Sequence, residues 1–444
     1  MHKALVAFAL VLALSVSAVV SHAQSPRPVP SLSLRGGGAM VAAADGCGRT
    51  IACGGSVSDG AGFCAAIVEG GKLFMWGDGS SGALGAADGS TEQQSTPALV
   101  AGLGCETVAS VACGGKHCAA VTHDGKVYTW GTGFCGQLGH GNGESKAAPT
   151  LVEGLAGVAV KEVSCGETHN VALSADGSVY VWGLDVEGQL GLGASGHRAA
   201  PAKVGGPLAE QKATAVSCSI GPGGPGHSAA ITSDGNLYTW GMGRDGQLGH
   251  GDTEPRLEPI LVSALADKTV VAVSCGATHT AALTDEGRVY TWGGGVSGQL
   301  GHGDKLQQLE PTLVGGVLEH KKVVAVSCGG FHTMVLLKDG SVFSWGEGLN
   351  GQVSSPRALL LAPAPPSKCQ VRETSARCRR QHNTHTHPAL SPFLHKTKCF
   401  VLCTCCASGL SRSHLGPSRR VSKSSRAISE SPEIISGHLR DGPR

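Results

Sequence analysis

Six tryptophans, each followed by glycine, set the terms on which this chain can fold. Trp76, Trp130, Trp182, Trp240, Trp292 and Trp345 recur 52 to 58 residues apart. A fixed period in that range marks a chain built from stacked copies of one small unit. The copy from Val270 to Leu313 reads VVAVSCGATHTAALTDEGRVYTWGGGVSGQLGHGDKLQQLEPTL. Six residues before each tryptophan lies the first member of a turn pair: Gly70-Gly71, Asp124-Gly125, Asp176-Gly177, Asp234-Gly235, Glu286-Gly287 and Asp339-Gly340. Asp-Gly between alternating apolar runs signals a two-residue hairpin, because both central positions need positive φ. The runs on either side, Thr280–Thr284 and Arg288–Trp292, do alternate. An apolar run, Val271–Cys275, precedes the hairpin, and a proline-led strand, Pro311–Val314, follows after a glycine-rich loop. Four short strands per unit of roughly 50 residues predict an all-β chain of propeller blades.

Composition narrows the reading. The 68 glycines of the 444 residues are about twice average usage, but they recur in register, so they mark tight loops and not disorder. Charged residues make up 15% and the net charge is +2. That balance gives no electrostatic footprint for nucleic acid over the whole molecule, and no nucleic-acid partner is expected.

The unit V-S-C-G-x-x-H-[TN]-x-A-L-x-x-x-G-x-V-Y-x-W-G-x-G-x-x-G-Q-L-G-H-G resembles the repeat of the regulator of chromosome condensation (RCC1) family, over about residues 45 to 353. The resemblance implies a seven-bladed β-propeller; the period by itself implies only a propeller. Six units are recognisable, so the expected ring is incomplete at its C-terminal end. The first unit, from about Gly46, departs from the pattern, with Phe63 in place of histidine and Gly82-Ala83-Leu84-Gly85 as its loop. The third has Leu192 where others carry the loop histidine, and the sixth breaks off at Gly351-Gln352-Val353, before its proline-led strand.

The flanks read differently. Residues 1–23 have Lys3, an apolar run from Ala4 to Val20 and small residues at Ser21-His22-Ala23, the pattern of a signal peptide. An uncleaved anchor is the rival reading, and no other segment is apolar enough to enter a membrane. Residues 24–44, rich in Pro, Ser and Gly, read as a linker. Residues 354–444 lose all register; they read as a disordered tail or as sequence that is not native coding. Localisation follows the leader: secretory pathway or organelle import, with cytoplasm or nucleus if the leader does not function. The 17 cysteines conflict with secretion. Five recur at equivalent strand positions that rotation keeps apart, beyond the reach of a bridge, as in a reduced compartment.

Chemistry-bearing patterns are each explained by architecture. Cys-x3-His occurs at Cys113/His117, Cys165/His169, Cys275/His279 and Cys328/His332, with Cys218/His227 stretched by an insert. A zinc site needs four converging ligands, and each blade offers two, so no metal is expected. If the blades are related by rotation, His117, His169, His227, His279 and His332 line one level of the ring and are candidates for binding. The loop histidines His140, His250 and His302 follow the same logic. Gly-x-Gly-x-x-Gly recurs at Gly131–Gly136, Gly241–Gly246 and Gly293–Gly298, but no helix follows inside a βαβ unit, so no nucleotide cofactor is expected. No catalytic set is visible. The insert Ser219–Gly226, with Pro222 and Pro225, is the one blade-specific elaboration, and a single-blade departure is where a symmetric scaffold gains specificity. The expected function is a non-enzymatic protein-interaction scaffold. The alternative that the resemblance implies is guanine-nucleotide exchange on a Ran-like small GTPase, through a protruding wedge that cannot be aligned with this insert. A plant relative senses light with clustered interface tryptophans, whereas the tryptophans here are one per blade.

Overall fold

The computed structural model describes residues 50–56, 62–86, 88–221, 226–349 and 351–353, with the short strands Leu34–Arg35, Val41–Ala42 and Ser367–Cys369. The leader at 1–23 and the tail beyond 369 lie outside the described residues.

The fold is a six-bladed β-propeller of six four-stranded antiparallel sheets, each in chain order from inner to outer strand. In the fifth blade the inner strand is Val270–Cys275, the second His279–Thr284, the third Val289–Gly293 and the outer Gln308–Leu313. The same order repeats from Thr50–Gly54 in the first blade to Val323–Cys328 in the sixth. Three-residue 3-10 turns such as Ser263–Leu265 carry the chain from each outer strand to the next blade and bury one leucine each, Leu265 among them.

Two features differ from the sequence reading. The hairpin turns hold three residues instead of two. The Thr122 carbonyl accepts the Gly125 N–H at 2.9 Å, and the Thr122 N–H donates to the Lys126 carbonyl at 3.0 Å. Gly125 takes φ +83°, the left-handed position that closes a type I turn with a bulge. The sixth blade also has its fourth strand. Ser367–Cys369, 21 residues beyond the third strand, pairs Phe343 with Lys368. The register was lost at Val353 because this strand lacks the proline-led sequence and comes late.

The core lies between sheets. The second strands His117–Thr122, His169–Ser174, His227–Thr232 and His279–Thr284 are buried along their whole length. Each is pressed from both sides, so its polar residues must find partners in neighbouring blades. Trp130, Trp182, Trp240 and Trp292 are 0% exposed. Burying a side chain of that size contributes about 4–6 kcal/mol of transfer free energy as an upper figure. A small hairpin, Leu34 opposite Ala42 and Arg35 opposite Val41, lies within the segment read as a linker, next to the inner strands of the first, fifth and sixth blades.

Candidate functional site

The repeated polar residues converge on the interfaces between blades. In the loop Gly-Gln-Leu-Gly, the glutamine carbonyl accepts two bonds from the next blade. The Gln247 carbonyl takes the Trp292 indole N–H at 2.9 Å and the Thr280 hydroxyl at 2.7 Å. Gln137 serves Trp182 and Asn170, Gln189 serves Trp240 and Ser228, and Gln299 serves Trp345 and Thr333 in the same way. The glutamine side chain turns back on its own loop, as when Gln247 Oε1 accepts the Asp245 N–H at 2.8 Å.

The ring histidines complete the same networks. His227 Nε2 lies 2.8 Å from Thr280 Oγ1, His279 Nε2 2.9 Å from Thr333 Oγ1, His169 Nε2 3.0 Å from Ser228 Oγ and His117 Nε2 2.8 Å from Asn170 Oδ1. Each imidazole thus bonds the residue that follows the equivalent histidine one blade on. Burial favours the neutral ring: His117 and His332 are pushed down to about 4, and His169, His227 and His279 to about 3. The Cys-Gly glycine makes room for the ring, since a Cβ on Gly276 would lie 2.3 Å from His279 Cε1. The five histidines therefore do occupy one level, but they are inside the walls. His117, His227 and His279 are 0% exposed, His169 1% and His332 9%, so the ring offers no open imidazole to a ligand. Among the described residues no three His, Cys, Asp or Glu side chains gather as metal ligands.

The loop histidines bond within their own blades. His140, His250 and His302 lie 3.0–3.1 Å from the hydroxyls of Thr129, Thr239 and Thr291, which also donate to the leucine carbonyl of the loop. The third blade has Val181 and Leu192 at these two positions, so both polar partners are absent together.

Cysteine serves the inner ring. The Cys218, Cys275 and Cys328 N–H groups donate to Ser164, Ser217 and Ser274 Oγ of the preceding blade at 3.0, 3.1 and 2.7 Å. That use of the Ser-Cys dipeptide is invisible without the neighbouring blade. So is the role of the residue after each histidine.

One repeated position stays exposed. The loops joining inner to second strand and third to outer strand emerge together, and four residues after each tryptophan a side chain projects. Phe134 is 81% exposed, Leu349 74%, Val296 70% and Val186 53%. In the fourth blade this place holds Arg244, whose guanidinium pairs with Glu187 of the third. The sequence signal was present, a fixed offset from tryptophan, but periodicity does not say which repeated positions point outward. The insert of the fourth blade opens on the same face. Its base is tied by the His227 N–H to Ser219 Oγ at 2.9 Å, and Pro222 and Pro225 lie outside the described residues.

Comparison with known proteins agrees with this geometry. The model of the RCC1-like domain matches residues 49–335, and that of the regulator of chromosome condensation (RCC1) repeat matches residues 323–352. The chain is 36% identical over 298 residues to the ultraviolet-B receptor UVR8 of Arabidopsis thaliana, covering 67% of this chain and 66% of the receptor. It is 36% identical over 290 residues to the human E3 ubiquitin-protein ligase HERC2, covering 65% of this chain and 6% of the ligase. It therefore spans just under two thirds of one relative and a small part of the other. The solved structure of human WBSCR16 superposes with TM-score 0.58 at 25% identity, over 67% of this chain and 77% of that one. That of Prp20p from Saccharomyces cerevisiae superposes with TM-score 0.60 at 21% identity, over 72% and 77%, and shows the fold alone.

Proposed function

The chain belongs to the RCC1-like domain family, and from that premise we propose that it is a non-enzymatic scaffold that binds a protein partner through its loop face. One observation carries this reading: Phe134, Val186, Val296 and Leu349 stand exposed at equivalent places on one face, while the repeated tryptophans and ring histidines are spent between blades. An apolar side chain repeated at one place on successive blades supplies contact area in register for a partner lying across that face. The test is co-purification by the wild-type chain and by a Phe134→Asp, Val296→Asp, Leu349→Asp variant. A partner retained by the folded variant contradicts the reading.

The alternative is guanine-nucleotide exchange. The solved yeast relative Prp20p is described with its binding to Gsp1p and histones, but no residue set here matches that task. Release of labelled GDP from a purified Ran-like GTPase is expected to stay at background, and marked acceleration favours the alternative. The receptor relative raises light sensing, against which stand Trp130, Trp182, Trp240 and Trp292, sealed in the walls.

We also infer a ring one blade short of the seven that the resemblance implies. In support, the outer strand Gln94–Leu99 of the first blade is exposed at five of its six positions. Uncovered sheet edges recruit other chains, so the chain is expected to associate in solution, against which a monodisperse, cooperatively melting monomer would count. Residues 1–23 remain a proposed leader, tested by where a fluorescent fusion of residues 1–45 travels.

A further inference from the structure

The residue that faces the inner-strand cysteine differs among blades. It is Asn170 opposite Cys165, Ser228 opposite Cys218, Thr280 opposite Cys275 and Thr333 opposite Cys328. In the first two blades it is a second cysteine, Cys64 opposite Cys53 and Cys118 opposite Cys113. We propose that Cys53 and Cys64 form a redox pair that closes to a cross-strand disulfide, while Cys113 and Cys118 stay as thiols.

Geometry separates the two pairs. The Cys53 and Cys64 sulfurs are 2.9 Å apart, and those of Cys113 and Cys118 are 3.9 Å apart. Directly opposed residues of antiparallel strands have Cα atoms about 4.5 or 5.5 Å apart, inside the window of about 4.4–6.8 Å that a disulfide requires.

Placement separates them further. Side chains at this position point toward the preceding blade: the Thr280 hydroxyl reaches the Gln247 carbonyl and the Cys118 thiol reaches the Ala83 carbonyl at 3.4 Å. Cys113 and Cys118 are therefore sealed against the first blade, both 0% exposed. Cys53 and Cys64 point instead to the seam of the ring, where no complete sheet precedes them among the described residues, and they are 9% and 6% exposed. A bridge there fastens the inner hairpin of a blade that, among the described residues, packs against a complete sheet on one side only.

The oxidant is a small-molecule disulfide of the glutathione class. One cysteine thiolate attacks a sulfur of the oxidant and expels one glutathione thiolate. The second cysteine thiolate then attacks the mixed disulfide and expels the other. Two protein thiols lose two protons and two electrons, and one disulfide is reduced to two thiols. The hydrogen bond between the thiols, together with burial, holds Cys53 well above the usual thiol range, so exchange is slow in the folded chain and the test passes through refolding.

Trypsin leaves both cysteines on one peptide, Thr50–Lys72, which has no internal Lys or Arg, whereas Lys116 divides Cys113 from Cys118. The full chain is refolded from denaturant in a glutathione redox buffer, the soluble folded fraction is isolated, and its free thiols are blocked after unfolding. The expected peptide is unblocked and lighter by two hydrogens than its reduced form, with Cys113 and Cys118 both blocked. Reducing the refolded chain is expected to lower its melting temperature by roughly 5 °C, a shift absent from a Cys53→Ala, Cys64→Ala variant. A Thr50–Lys72 peptide with both thiols blocked overturns the proposal. So does either cysteine joined elsewhere, or a bridge between Cys113 and Cys118 in equal yield.

Discussion

Among the described residues the fourth blade packs between two complete sheets, and the first packs against one on a single side. Both are built from the same unit, so the difference measures what a neighbour contributes. In the fourth, Trp240 is 0% exposed and its indole is held by the Gln189 carbonyl, and Pro259 of the outer strand is buried. In the first, Trp76 is half-buried, Pro97 is exposed, and Phe63 stands where the others have histidine. The motif residues are thus contact residues: Trp76 and Trp345, in the blades at the two ends of the chain of sheets, are half-buried, whereas the four between them are sealed. The far side of the first blade behaves normally, because Ala83, standing in for glutamine, still offers its carbonyl to Trp130 at 2.7 Å. The bond between blades needs the backbone alone, and the glutamine side chain only braces its own loop.

The largest way to stress this contrast is acid. The five buried histidines have folded pKa values lowered to about 3 or 4. Below about pH 6.5 the unfolded chain binds protons that the folded chain refuses, so stability falls as pH falls from about 6.5 toward 4. Each histidine contributes up to about 1.4 kcal/mol per pH unit in that window. Denaturant midpoints at pH 7, 6 and 5 should therefore drop steeply; a flat profile contradicts buried neutral rings. The first blade, with Phe63, adds nothing to this slope.

Next comes tryptophan. Trp240→Ala should cost about 3–5 kcal/mol, and Trp76→Ala less, about 2–3 kcal/mol, since part of its surface is already wet. Equal costs, read by chemical denaturation, would mean that the first blade is covered after all. Smaller again is the loop pair. Thr239→Val strands His250 and leaves a loop carbonyl without its donor, at about 1–2 kcal/mol. Adding His250→Leu, which copies the third blade, should return part of that. Phe134→Ser should change stability by less than about 0.5 kcal/mol, in keeping with a side chain reserved for a partner.

The repeat, the strand order and the burial of tryptophan were legible in the sequence because they follow from period and alternation within one unit. The architectural use of Cys-Gly-x-x-His was legible too, since one blade cannot complete a metal site. What the sequence hid lies between units. The two donors sharing the Gln247 carbonyl come from the next blade, and their separation along the chain carries no local pattern. The facing of Cys53 and Cys64 was concealed by the loop between them, and the strand Ser367–Cys369 by its unrelated sequence. Turn length was misjudged because Asp-Gly suits both the two-residue turn and the last two places of a three-residue one.

The central claim, that the shared polar residues bind blade to blade, is tested most directly by a double-mutant cycle on His227 and Thr280, whose Nε2 and Oγ1 lie 2.8 Å apart across the interface of the fourth and fifth blades. With His227→Phe and Thr280→Val measured singly and together, the account predicts a coupling of about 1 kcal/mol or more. Costs that add to within about 0.3 kcal/mol would contradict it.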